Sequence, residues 1–326
     1  MRCAIHWRVA THDEYSASCI KQQQMSYVDQ PRTGIMLRIL SGVLIAGMYV
    51  SVKAVSDTVP LGEIVFFRAF FALIPLLVFL WWRNEFPHGL ATARPGGHLL
   101  RSLFGVISLF ASFAALARLS VAEAVLIAQL SPMLTAIAAV FILAERLTIW
   151  RVLGVILGFT GVVVLVWPDL GGSGLEHIRV TGIVLGLVSA ALSALSIIMV
   201  RSLNRTESPG AIALYFVIAS MACALLTIPW GWIMPHSKTL LLLISAGLFG
   251  GFAHIAMTLS LRFAEASRLA PFEYIALLWP VLADLFIFRL SLSQSFLLAV
   301  PLVLAGAAVA AMESSKRKAA VHNEGR

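Results

Sequence analysis

The sequence predicts an all-α integral membrane protein of ten transmembrane helices, arranged as two inverted five-helix repeats. Three observations carry this expectation. Charged residues are too few for a soluble fold, ten apolar segments have spanning length, and the two halves resemble each other at a nearly constant offset.

The chain has 326 residues, 60% of them hydrophobic and 12% charged, with a mean hydropathy of +0.91. Soluble domains carry about 25% charged residues. A chain this apolar has too little polar surface to cover a core in water, so lipid is its solvent. The formal charge of +8 does not point to nucleic acid, which needs Lys and Arg clustered on a polar face. The sole dense group is Lys316-Arg317-Lys318. Cys3, Cys19 and Cys223 are too few and too scattered for a disulfide framework or a metal site. No metal or cofactor is expected.

A helix crosses the hydrocarbon in about 20 residues. Segments 35–55, 62–82, 98–117, 121–143, 149–167, 180–200, 209–230, 239–261, 268–290 and 294–312 qualify. With a cytoplasmic N-terminus, eighteen Lys and Arg fall on inner segments, Arg101 among them, against five on outer ones. That bias sets the orientation and places both termini in the cytoplasm. Residues 1–34 form a polar tail without the apolar centre of a signal peptide, and Met25 or Met36 is an alternative start. Residues 35–167 and 180–312 form the halves, and 313–326 a basic cytoplasmic tail.

A shift of 148 lays residues 34–53 on 182–201, matching Gly34 with Gly182, Ser41 with Ser189 and Lys53 with Arg201. A shift of 145 lays Leu147, Leu153, Leu157 and Gly161 on Leu292, Leu298, Leu302 and Gly306. Five spans per half is an odd number, so the second copy must enter the membrane from the opposite side. Inverted repeats are typical of secondary transporters, whose substrate sites lie near the midplane between the repeats.

On these paired halves, and on "GEIVFFRAFFALIPLL" (62–77), "ALARLSVAEAVLIAQLSPMLTAIAAVFILAERLT" (115–148) and "ALLWPVLADLFIFRLSLS" (276–293), the chain resembles the drug/metabolite transporter superfamily in its ten-helix EamA form. The resemblance spans about residues 34–312 and implies the ten-helix repeat fold and metabolite transport. The family usually carries an acidic residue after the fourth helix of each half. Glu145 fits in the first half, whereas the second reads Phe288-Arg289-Leu290. In overall appearance the chain looks most like the bacterial riboflavin importers, which implies riboflavin uptake across the inner membrane. Amino-acid or metabolite export and S-adenosylmethionine uptake are the alternatives.

Charges inside spans mark pathways or partners. Glu273 and Asp284 lie eleven residues apart on the ninth span, so their azimuths differ by about 20°, and Pro280 shares that face. Depth matching pairs His254 with Glu273, for proton coupling or for helix registry, and Arg68 with Asp284. Arg68 has an alternative in snorkelling outward. Lys53 and Glu63, at facing ends of the first hairpin, suit a structural ion pair. Pro132 and Pro280 sit mid-span and are expected to bend the fourth and ninth helices. Gln129 is beside the former, and Tyr274 and Trp279 offer an aromatic surface to a planar substrate. Gly154-x-x-x-Gly158, Gly182-x-x-x-Gly186 and Gly247-x-x-x-Gly251 suit close packing within the chain rather than dimerisation, though monomer and homodimer stay open.

The chain has no G-x-x-x-x-G-K-[ST], H-E-x-x-H or G-x-S-x-G run. A P-loop drive is therefore excluded, and a membrane enzyme lacks its usual constellations. The expected partners are a small-molecule substrate and the lipid bilayer.

Overall fold

A computed structural model describes residues 30–83, 92, 94–143, 148–169, 175–204, 206–264, 269, 272 and 275–324. Among these residues the chain is helical throughout its regular structure. The elements are α1 (Pro31–Val55), α2 (Leu61–Trp82), α3 (Pro95–Arg118), α4 (Val121–Ala128), α5 (Leu130–Leu143) and α6 (Ile149–Val166) in the first half. In the second they are α7 (Leu175–Leu203), α8 (Pro209–Leu225), α9 (Ser237–Phe263), α10 (Leu278–Phe286) and α11 (Gln294–Glu324). Seven described spans are long and apolar enough to cross a membrane, one of them made of α4 and α5 together, and α8 and the apolar part of α11 are shorter.

Local chemistry explains the helix boundaries. Pro31, Pro95 and Pro209 open their helices, where a missing N–H has no cost. The first helix thus begins four residues before the expected span. At α4 a capping box operates: Glu123 N donates to Ser120 Oγ, and Ser120 N donates to Glu123 Oε2, both at 3.2 Å.

The fourth span is not continuous. Helix α4 stops at Ala128, and α5 resumes at Leu130 after Gln129. Pro132 has no N–H to give the Ala128 carbonyl, so the helix is interrupted where that bond is missing. Pro280 behaves otherwise. It is the third residue of α10, in a first turn that tolerates proline, and is no mid-helix bend within the described residues. Helix α10 closes with Arg289 at φ 54°, while Leu290 N donates to Asp284 O at 2.9 Å. That position suits glycine. Arg289→Gly should therefore stabilise the chain by about 1 kcal/mol in an unfolding titration.

Helices of the two halves pack against each other. Ser41 Oγ on α1 donates to Ala253 O on α9 at 3.0 Å. Ser189 Oγ on α7 donates to Ser108 O on α3 at 2.9 Å. Helices α6 and α11 touch through glycine: a Cβ on Gly154 would lie 2.6 Å from the Gly306 carbonyl oxygen. Gly182 faces Arg118 and Leu119, Gly186 faces Ile127, and Gly247 and Gly251 face Phe71 and Pro75. All three small-residue motifs are thus used in packing within the chain. Outward, Trp81, Phe141 and Phe286 stand 74%, 81% and 75% exposed. Large apolar side chains at such exposure need lipid around them, and the chain is a multi-pass membrane protein.

Candidate functional site: a cationic cluster between the helices

Arg68 lies two turns into α2, and only 6% of it is exposed. It sits against α9, where a Cβ on Gly250 would be 3.3 Å from its Nε and 3.4 Å from its Nη2. Arg101, in the second turn of α3, lays its guanidinium 3.8 Å from the centroid of the Phe216 ring on α8. Ser196 Oγ on α7 fixes the backbone there by donating to Arg101 O at 3.2 Å. A Cβ on Gly105 would be 2.9 Å from both Arg101 Nη1 and Phe216. Glycine on α9 and on α3 therefore leaves each guanidinium its space.

His254 on α9 completes the group. It lies within electrostatic reach of both arginines, and the arginines lie within reach of each other. Its side chain is exposed. Tyr49 borders the same region, beside Arg68, with its hydroxyl 3.4 Å from Ser112 Oγ. Arg68 Nε and Arg101 Nε and Nη1 are buried without hydrogen-bond acceptors.

The expected Arg68–Asp284 pair is not formed. Asp284 is 1% exposed and accepts from Val121 N at 3.1 Å and Ala122 N at 2.7 Å. Its carboxylate thereby serves the positive end of α4. Backbone amides of α4, rather than the Arg68 guanidinium, provide the carboxylate's partners. The Lys53–Glu63 pair is likewise absent. Lys53 Nζ donates to the closing carbonyls of α3, Leu116 O at 3.0 Å and Ala117 O at 3.2 Å, and Glu63 accepts from Ile233 N at 3.1 Å.

Glu273 and Tyr274, and with them the His254–Glu273 pair, lie outside the described residues. Trp279 turns towards α1, where a Cβ on Gly42 would be 3.6 Å from its Cδ1, and its Nε1 is buried without an acceptor. Gln129 is half-buried at the α4–α5 break. Arg101 is the residue that sequence reasoning missed, because it was counted with the cytoplasmic charges. Its place six residues inside α3 and the glycine one turn on, Gly105, were the available signals. Nearer the start of α3, His98 Nε2 comes within 3.5 Å of Glu207 Oε2, with the Tyr215 ring tilted at 46° to the imidazole and 4.5 Å from it. That is a second buried polar cluster, apart from the arginines.

Residues 32–167 match the EamA-like transporter family. The chain is 30% identical over 228 residues to the S-adenosylmethionine uptake transporter of Rickettsia prowazekii (strain Madrid E), an alignment covering 70% of this chain and 74% of that protein. The chain belongs to the EamA-like transporter family. Another relative of the chain is the pseudopaline exporter of Pseudomonas aeruginosa, 28% identical over 261 residues and aligned over 77% of this chain and 86% of its own. A protein of known crystal structure superposes with a TM-score of 0.62 at 22% identity, covering 87% of this chain and 98% of its own. That likeness supports the fold. These relatives are named for S-adenosylmethionine uptake and pseudopaline export, so the expectation of riboflavin uptake gains no support from them. Small-metabolite transport across a membrane is the activity of this EamA-like chain.

Proposed function

We propose that the chain is an S-adenosylmethionine uptake transporter working by alternating access between two inverted five-helix repeats, residues 35–167 and 180–312. The observation that carries the substrate is the 30% identity to the Rickettsia prowazekii transporter. Support for the repeats comes from contacts that recur with the halves exchanged. Ser41 and Ser189 are 148 apart, and their acceptors Ala253 and Ser108 are 145 apart. Gly105 neighbours Ser196 and Phe216, while Gly250 neighbours Met48 and Arg68, at the same two offsets. Gly161 neighbours Ala299 and Val303, and Gly306 neighbours Gly154 and Gly158. A two-fold relation between halves would produce this reciprocity. Rocking one repeat against the other would then open the site to each side in turn.

Uptake of labelled S-adenosylmethionine into proteoliposomes holding the purified chain tests the substrate. Several-fold accumulation over protein-free vesicles is expected. No accumulation by a verified, inserted chain would overturn uptake of this compound. The second reading is metabolite export, favoured by the 28% identity to the pseudopaline exporter. Its sign would be efflux from preloaded vesicles without net uptake.

A further inference from the structure

We infer that Arg68 and Arg101 form an anion-recognition site in the transport pathway, taking a carboxylate or phosphate group of the transported metabolite. The inference rests on the transporter reading above and names the substrate chemistry that the site selects. Guanidinium groups stay protonated, so these two hold fixed positive charges. Placing an unpaired arginine at membrane depth is costly. Here two of them lie within reach of each other, and among the described residues neither has a carboxylate partner. Their mutual repulsion and unmade hydrogen bonds would both be relieved by a shared anion.

The geometry supports a built site. Arg68 is more than nine-tenths buried, its Nε lacks an acceptor, and so do Nε and Nη1 of Arg101. Their planar forks match carboxylate and phosphate oxygens. Phe216 holds the Arg101 fork from one side, and Gly105 and Gly250 keep space beside the two groups. Arg68 and Phe216 occupy positions 148 apart, facing Gly250 and Gly105 respectively. Gly250 thus faces Met48 and Arg68, and Gly105 faces Arg101 with Phe216, so both clefts are cationic and the second is also aromatic. A metabolite with an acidic group and a planar ring fits that arrangement.

The test uses the purified chain in nanodiscs of zwitterionic lipid, with citrate and inorganic phosphate as probes against chloride at constant ionic strength. The readout is the thermal unfolding midpoint. Citrate, phosphate or both should raise the midpoint of the unaltered chain, and the responding probe identifies the group. The control Arg118→Gln, at an exposed side chain, should respond equally. Arg68→Gln and Arg101→Gln should each weaken the apparent anion affinity by about tenfold or more. Arg68→Lys keeps the charge without the fork and should give an intermediate response, which covers the case of Arg68→Gln failing to fold. No shift in the unaltered chain, or an equal shift in every variant, would overturn the site. So would a response that vanishes in phosphatidylglycerol discs, since a lipid headgroup would then be the occupant. None of these outcomes depends on S-adenosylmethionine, so the anion site and the substrate assignment fail separately.

Discussion

Asp284→Ala will destabilise the chain by about 2–4 kcal/mol, because it orphans two buried amides at once. Val121 N and Ala122 N donate to the two carboxylate oxygens, and the side chain is closed to solvent at 1% exposure. Helix α4 already has its own cap in Ser120 and Glu123, but those bonds satisfy other groups of the turn. Asp284→Asn retains one acceptor and should lose about half as much. Chemical unfolding in mixed micelles measures both. The same variants decide the partner of Arg68. Arg68→Ala and Asp284→Ala should add to within about 0.5 kcal/mol, the limit for sites that do not touch. A larger coupling energy would restore the direct pair that depth matching favours.

Gly306→Val is the second large effect, with an expected loss of about 3 kcal/mol. A Cβ at this position would lie 2.5 Å from the Gly154 carbonyl oxygen and 2.7 Å from Gly158 N. Both neighbours are backbone, so relief requires α6 and α11 to separate along their contact. Gly154→Ala meets the same obstacle from the other side and should also lower the unfolding midpoint. Gly96, with nothing within 4 Å of its would-be Cβ, is the counterpart. Gly96→Ala should be neutral or stabilise by up to about 1 kcal/mol through helix propensity. If Gly306→Val and Gly96→Ala shift the midpoint alike, the close helix contact is not formed.

Much of the architecture was legible in the sequence because it depends on composition and local pattern. Apolar runs marked the spans, the small-residue motifs marked close helix contacts, and Pro132 marked the α4–α5 break. Pro280 was less legible. Its effect depends on where a helix starts, and α10 starts two residues before it. The site divides in the same way. Arg68, Asp284 and His254 stood out as charges or titratable groups within spans, whereas Arg101 lay near enough to a helix end to pass as a loop charge.

The sequence by itself determined that this is a helical membrane protein of the EamA type, with ionisable groups in its spans. Hydropathy and the family's motifs record those properties residue by residue. The tertiary structure alone decided the partners: Asp284 with the amides of α4, Lys53 with the carbonyls of α3, and Arg68 beside Arg101 and His254. The physical reason is that periodicity fixes a side chain's depth and its face on its own helix. It does not fix the rotation of one helix against the next. Backbone amides and carbonyls, moreover, carry no letter in the sequence, so a carboxylate or ammonium group that binds them cannot be paired by reading side chains.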